Sequence, residues 1–318
     1  MNKVAVIGSM NVDLVSRVPR FLLPGETLQG LSFQVFPGGK GGNQAVAAAR
    51  LTDEVLMLGK LGDDANGAMY REVLRDSGII DSCVETEPHT QTGGTVIEVD
   101  ASTGDNRIIY FPGANMMVDP AQIERHWEEL LQYDIFLLQL EIPMDTVAHA
   151  IKRLHEAGKI IILDPAPAQP LPHGLLPLVT YVTPNEVELG LLTGLSAKTE
   201  QELILAARRL VQMGAPAVIA KAGKLGAYLV TSDSLEHFSG FTVEAVDTTA
   251  AGDSFNAGLA AALGQGIDAQ NAISYANAVG AISTLSAGAQ QAMPSRRAVE
   301  DFIHQHNLKG ENSDCLGE

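Results

Sequence analysis

The stretch AVDTTAAGDSFNAGLAAAL, residues 245–263, sets one carboxylate, Asp253, where small residues give way to an apolar helical pattern. Thr248, Thr249, Ala250, Ala251 and Gly252 precede it, and Ser254, Ala257, Gly258, Ala260 and Ala261 follow. Small side chains let a ligand reach the backbone, and the first turn of a helix leaves N–H groups unpaired. Such a helix start attracts anions. An acid at that place suits a base working beside a phosphate, so the stretch points to phosphoryl transfer. The plainer alternative is an ordinary helix start with an acidic first-turn residue.

Five further stretches could serve the same chemistry. FPGGKGGNQAVAAA, residues 36–49, surrounds Lys40 with Gly38, Gly39, Gly41 and Gly42, and Asn43 and Gln44 then open a small-residue helix. It is neither a phosphate-binding P-loop nor a dinucleotide fingerprint, because the spacing of both is absent. A tight turn with close helix packing is its structural alternative. GSMNVDL, residues 8–14, places Asn11 and Asp13 two residues apart, on one face of an extended chain just past the first strand. An amide and a carboxylate in that arrangement suit a polyhydroxylated ligand, and a polar turn explains them equally well. QLEIP ends an apolar strand with Glu141, which is costly there unless solvated, paired or ligand-bound. TPNEVE offers Asn185, Glu186 and Glu188, either as acids acting near phosphate through magnesium or as a helix N-cap with acids in its first turn. KAGKLGA, residues 221–227, is a glycine-interrupted turn able to pass along a nucleotide. The histidines show no metal spacing; His126 and His155 read as surface residues, and Trp127 and Phe136 as packing residues.

These residues need a scaffold, and the chain supplies a repeating one. Short apolar runs at 3–8, 55–62, 134–140, 159–165, 181–185 and 217–223 read as buried strands. Helical patterns separate them at 42–51, 66–78, 120–132, 143–158, 199–214, 253–264 and 268–285, and several of these stop at glycine. The alternation predicts an α/β fold with a mostly parallel sheet covered on both faces. Residues 13–37 and 92–112 break the rhythm, the second as a hairpin turning at STGDN, and together they predict a small β lid whose apolar face needs a ligand or a partner subunit. The core is expected over 1–12, 38–91 and 113–306, late antiparallel edge strands within 236–246, and a polar C-terminal tail over 307–318 that frays from about residue 304.

Composition narrows the function. A net charge of −17 argues against nucleic-acid binding, which needs a basic face. Two distant cysteines, Cys83 and Cys315, give no disulfide framework, and no apolar run reaches membrane-spanning length. The polar turn after the first strand comes too early for a signal peptide, so a cytoplasmic protein is expected.

Taken together, GGKGGNQAVAAARL near the N-terminus and DTTAAGDSFNAG near the C-terminus resemble the paired signatures of the ribokinase family of PfkB-type carbohydrate kinases. IIILDPAPAQPLP, TPNEVE and the triplet at 288–290 add to the likeness, which covers essentially residues 2–305. The resemblance implies a ribokinase-like three-layer sandwich with a β lid and ATP-dependent phosphorylation of a sugar, D-ribose at its 5-hydroxyl being favoured. It implies that Asn11, Asp13, Gly39, Lys40, Gly41, Gly42, Asn43 and Glu141 hold the sugar, that Asp253 is the base, and that Ala250, Ala251 and Gly252 form the anion hole. ATP would meet Asn185, Lys221, Ala222, Gly223, Lys224, Leu225, Gly226, Gly252 and Asn277. Magnesium would ride with the phosphates near Asn185 and Glu188, and a potassium-like ion would sit around Asp247, Thr249, Ser283, Ser286, Gly288 and Ala292. A homodimer through the lid is a further implication. Four positions bear on the family pattern. Gly42 stands for the usual alanine, a change expected to be mild, and Lys221 stands for a frequent threonine. Asn277 is common at its place, and Ala292 replaces a serine at the edge of the ion site. The alternatives are a kinase of the same family acting on 2-deoxyribose, another sugar or a nucleoside, the last kept open by Phe33, Phe36 and Tyr110, and a non-catalytic sensor on the same fold.

Overall fold

The structure, a computed structural model, describes residues 2–313. Its elements run β1 (Lys3–Ile7), β2 (Asn11–Val18), β3 (Ser32–Gly38), α1 (Lys40–Ala49), β4 (Glu54–Gly62), α2 (Ala65–Asp76) and β5 (Ile80–Glu87). They continue with β6 (Gly93–Asp100), β7 (Asn106–Phe111), α3 (Pro120–Arg125), α4 (Trp127–Leu130), β8 (Ile135–Leu138), α5 (Met144–Glu156) and β9 (Ile160–Leu163). The last part is β10 (Tyr181–Val182), α6 (Glu186–Thr193), α7 (Glu200–Gln212), β11 (Val218–Lys221), β12 (Gly226–Val230), β13 (Leu235–Ser239), α8 (Ala251–Gly264), α9 (Ala269–Ser283) and α10 (Arg296–Ser313).

Nine strands form one sheet in the order β13-β12-β11-β10-β9-β8-β1-β4-β5. Neighbours from β11 to β5 are parallel, and β12 and β13 add an antiparallel edge. Successive residues of β1 point to opposite faces. Val4 and Val6 pack with α1, α2, α8 and α9, while Ala5 and Ile7 pack with α3 to α7. The sheet is therefore the middle of three layers. Local sequence explains the helices. α5 buries Val147, Ala150, Ile151 and Leu154, one stripe at helical spacing, and α6 and α7 open on the capping boxes Asn185/Glu188 and Thr199/Glu202.

The second sheet has the order β3-β2-β6-β7, with β2 and β6 parallel and the other pairs antiparallel. Its strands begin at Asn11 and end at Gly38, then begin at Gly93 and end at Phe111, close to the limits read for the lid. Register divides its faces: Asp13 lies opposite Phe36 and Thr95, and Thr95 opposite Tyr110, so these share one face with Asn11. Leu14, Val35, Val96 and Ile109 share the other, and Phe33, three residues from Phe36, lies with them, away from the face that carries Asp13.

Several elements differ from the sequence expectation. The helix expected over 120–132 is broken at His126, whose φ of −105° separates α3 from α4. β5, whose polar residues Asp81, Ser82 and Glu85 interrupt the apolar run, and β12 were not anticipated as strands. Only β13 forms where late edge strands were expected; residues 240–243 and 245 line a cavity instead. α10 runs to Ser313, through the stretch read as a fraying tail, and residues 314–318 lie outside the described residues. No described helix is long and apolar enough to cross a membrane.

Candidate active site

The C-terminal ends of the parallel strands and the starts of α1 and α8 converge. At the head of α8, Ala250 adopts φ 58° and ψ 16°, a left-handed conformation unfavourable for a residue with a Cβ, and no side chain caps the helix. The Ala251 N–H donates to Thr248 O at 3.2 Å. The N–H groups of Ala250, Gly252 and Asp253 have no backbone partner, so free donors lie at and just after the helix start. Asp253 itself is buried, not a solvated first-turn acid. Asn43 Nδ2 donates to its Oδ2 and Gln44 Nε2 to its Oδ1, both at 3.0 Å. Burial lifts the carboxyl to about 6; nearby Lys40 opposes the rise, Asp164 adds to it, and the two amides oppose it.

One side of Asp253 carries the residues expected to hold a sugar. Glu141 Oε2 accepts from Ser9 Oγ at 2.5 Å and from the Lys40 N–H at 3.0 Å, so this strand-end acid is paired to the start of α1. Burial works against the charge of the Lys40 ammonium, but Asp253, Asp164, Glu141 and Glu188 outweigh it and hold the pKa above the ordinary lysine value. Asp13 Oδ1 accepts from Thr95 Oγ1 at 2.5 Å. Its carboxyl is raised by burial, against the Thr95 hydrogen bond and with a further rise from Glu141. Asn11 Oδ1 accepts from Asn115 Nδ2 at 2.7 Å, and Asn115 also takes the Met10 N–H at 2.9 Å. Glycine is required where α1 begins. Gly39 has φ 82°, and a Cβ there would lie 2.6 Å from Asn11 N; a Cβ on Gly41 would lie 2.6 Å from Ser9 N. A Cβ on Gly42 would fall 1.8 Å from the Tyr70 hydroxyl, so in this chain the glycine makes room for Tyr70 and the packing is close. That hydroxyl donates to Gly38 O at 2.6 Å and accepts from Gln290 Nε2 at 3.1 Å.

The other side opens into a cavity of about 490 Å³ lined by Lys221, Gly223, Lys224, Leu225, Gly226, Gly252 and Asn277, together with Phe241, Val243 and Phe255. Ala222 instead packs against the hydrophobic core. Asn277 Nδ2 donates to Phe238 O at 3.0 Å, tying α9 to β13 beside the cavity. Asn185 and Glu188 form the capping box of α6, so the structural alternative for these two is realised. Glu188 is nonetheless buried, and its carboxyl is raised, chiefly by burial, with Lys221 opposing and Asp164 adding. Asp247 accepts from Thr249 N at 2.9 Å and from Gly288 N at 2.9 Å, which brings these three together. Ser283 donates its hydroxyl to Gly280 O at 2.8 Å, Ser286 is exposed, and Ala292 closes a short turn at Gln290–Ala292.

Sequence reading did not single out Asp164, Ser9, Thr95, Asn115 or Tyr70. Asp164 carried the same signal as Glu141, an acid ending an apolar strand. The others sit in ordinary polar contexts and join the site only through contacts between distant parts of the chain. Phe241 and Val243 lie in an alternating run that reads as an edge strand.

The pfkB family of carbohydrate kinases matches the chain over residues 1–296. Ribokinase of Bacillus subtilis (strain 168) is 39% identical over 303 residues, 95% of this chain and 100% of that one. Deoxyribokinase of Salmonella typhi is 38% identical over 301 residues, 94% of this chain and 98% of that one. Among solved structures, Arabidopsis thaliana ribokinase complexed with ribose and ATP aligns with a TM-score of 0.90 at 32% identity, over 94% of this chain and 98% of that one.

Proposed function

Since the chain belongs to the pfkB family of carbohydrate kinases, we propose that it transfers the γ-phosphoryl group of ATP to the 5-hydroxyl of D-ribose, giving D-ribose 5-phosphate and ADP. The observation that carries this reading is the position of Asp253. Its carboxylate, fixed by Asn43 and Gln44, stands between the polar cluster of Asn11, Asp13 and Glu141 and the cavity at the head of α8. The Arabidopsis relative binds ribose and ATP, which supports the same pair of ligands for this chain.

In the reaction, the 5-oxygen of the sugar forms a bond to the γ-phosphorus as the bond to the β-phosphate oxygen breaks. The hydroxyl proton passes to Asp253, whose carboxyl near 6 is ionised at neutral pH and still basic enough to accept it. The N–H groups of Gly252 and Asp253 face the equatorial oxygens, where charge develops. The nucleotide takes the cavity bordered by 223–226 and Asn277. Four carboxylates, those of Asp253, Asp164, Glu141 and Glu188, surround the ammonium of Lys40. Even with Lys221 beside Asp164 and Glu188, the site is negative on balance, a charge state that suits a divalent cation arriving with ATP. Mg²⁺ fits there, near Asn185 and Glu188, and would offset charge on the leaving diphosphate. Glu188 is engaged in its capping box, so it would act on the ion through water. A monovalent ion, K⁺ by preference, belongs to the loop of Asp247, Thr249 and Gly288.

The Salmonella relative makes 2-deoxyribose the second reading. ATP turnover on ribose, 2-deoxyribose, fructose and adenosine, with and without K⁺, separates the readings; no preference for ribose would overturn the first.

The lid argues for a homodimer. Ile108, Ile109, Tyr110 and Phe111 of β7 are consecutive and all exposed, so both faces of this strand lie open in one chain. The face bearing Tyr110 and Asp13 meets the sugar. The face bearing Phe33, Val35, Val96 and Ile109 is left for the lid of a second copy.

A further inference from the structure

Asp164 directly follows β9 at 2% exposure, and both of its oxygens are engaged. Oδ1 accepts from Lys221 Nζ at 3.0 Å, and Oδ2 accepts from Gln44 Nε2 at 3.0 Å. The same Gln44 nitrogen donates to Asp253 Oδ1 at 3.0 Å. Lys221 thus belongs to one hydrogen-bonded chain with Asp253. Its ammonium also lies 3.3 Å from the point where a Cβ on Gly252 would stand, so it rests against the first turn of α8, at the wall of the cavity. An ammonium carries three protons, and Asp164 takes one. A buried ion pair built only to neutralise Asp164 would not need its cation beside a helix start that already attracts anions.

We propose that Lys221 contacts the phosphoryl group in flight between ATP and sugar, and that Asp164 is a positioning residue that holds this ammonium over α8 while bracing Gln44 against Asp253. The proposal rests on the phosphoryl-transfer reading above and adds to it a cation supplied by the protein itself, aimed at the charge that develops on the equatorial oxygens. It also links the two halves of the site: the base and the phosphoryl-binding cation share Asp164 through Gln44.

The test compares Lys221→Met, Lys221→Arg and Asp164→Asn with the parent enzyme. Lys221→Met is expected to lower kcat about a hundredfold while the KM for the sugar stays within about threefold, and Lys221→Arg to restore part of the loss. Asp164→Asn removes a negative charge that raises Asp253; the groups facing Asp253 are then Lys40 on α1 and Tyr70 on α2. The acid limb of its kcat profile therefore moves to lower pH, a shift that a merely structural role would not produce. Should Asp164→Asn fail to fold, the double variant with Lys221→Met removes both charges, and the Lys221→Met kinetics still decide. Calorimetry with ADP, alone and with aluminium fluoride as a mimic of the transferring group, separates this proposal from the function it rests on. Lys221→Met should bind ADP as the parent does and lose the added affinity that aluminium fluoride confers. Normal kcat in Lys221→Met, an unmoved acid limb in Asp164→Asn, or an undiminished fluoride increment overturns the proposal even if the parent phosphorylates ribose. A parent that phosphorylates no sugar but shows the increment, lost in Lys221→Met, overturns the sugar-kinase reading and leaves the role of Lys221 standing.

Discussion

At the residue scale, the site is a set of buried polar side chains whose partners decide their chemistry. Asp253→Asn is expected to lower kcat by at least two orders of magnitude, with ADP binding retained by calorimetry; normal turnover would remove the base role. The pH dependence follows from the same environment. A carboxylate base works only when ionised, and the pKa of Asp253 is raised to about 6 from 3.8. Turnover should therefore fall as pH drops through about 6, rather than two units lower, in a kcat/KM profile of the free enzyme. Gly42→Ala is expected to cost about 1–3 kcal/mol, since its methyl group overlaps the Tyr70 hydroxyl. Tyr70→Phe should recover part of that loss in a double-mutant melt. Asp253 and Glu141 were legible in the sequence because an acid beside small or apolar residues is conspicuous. That Gly42 makes room for Tyr70 was not legible, because Tyr70 stands on another helix.

At the element scale, the starts of α1 and α8 do the positioning, and both depend on unusual backbone. Gly39 and Ala250 carry positive φ at the two helix starts, but only the first is a glycine. Ala250→Val would force a β-branched residue into the left-handed region, and a loss of roughly 1–2 kcal/mol or more follows. Ala250→Gly should keep both stability and turnover near the parent values; equal melting temperatures for the Val and Gly variants would show that the conformation is not required. Strands and helices with clean periodicity, α7 among them, were legible; the cap at Asn185 was one of two readings of its stretch, and the cap at Thr199 was not read. β5 was not, because its polar residues are paired by tertiary contacts: Glu85 with Arg125 and Lys60, and Asp81 with Arg71. The break at His126 likewise has no signal in a sequence that carries helical period across it.

At the scale of the whole molecule, the two sheets solve different problems. The nine-stranded sheet is closed by helices on both faces, while the lid keeps apolar faces open. Ile109→Asp places a charge in the outer lid face and should convert a dimer into a monomer in light scattering at micromolar concentration, with the fold intact by circular dichroism. An unchanged mass would exclude this face as the interface. The lid could be read from sequence as an interruption of the βα rhythm, and its need for a cover from its apolar alternation. The assignment of its two faces required the register, which a shift of one residue would reverse.

The lid and the base-holding helix are one piece of chain. β3 ends at Gly38, Gly39 turns with φ 82°, and Lys40 begins α1, which presents Asn43 and Gln44 to Asp253. Backbone also crowds Gly39, with Asn11 N 2.6 Å from where its Cβ would be, so this joint has little slack. The position of the lid strand and the aim of the two amides at the carboxylate are therefore fixed by one short joint.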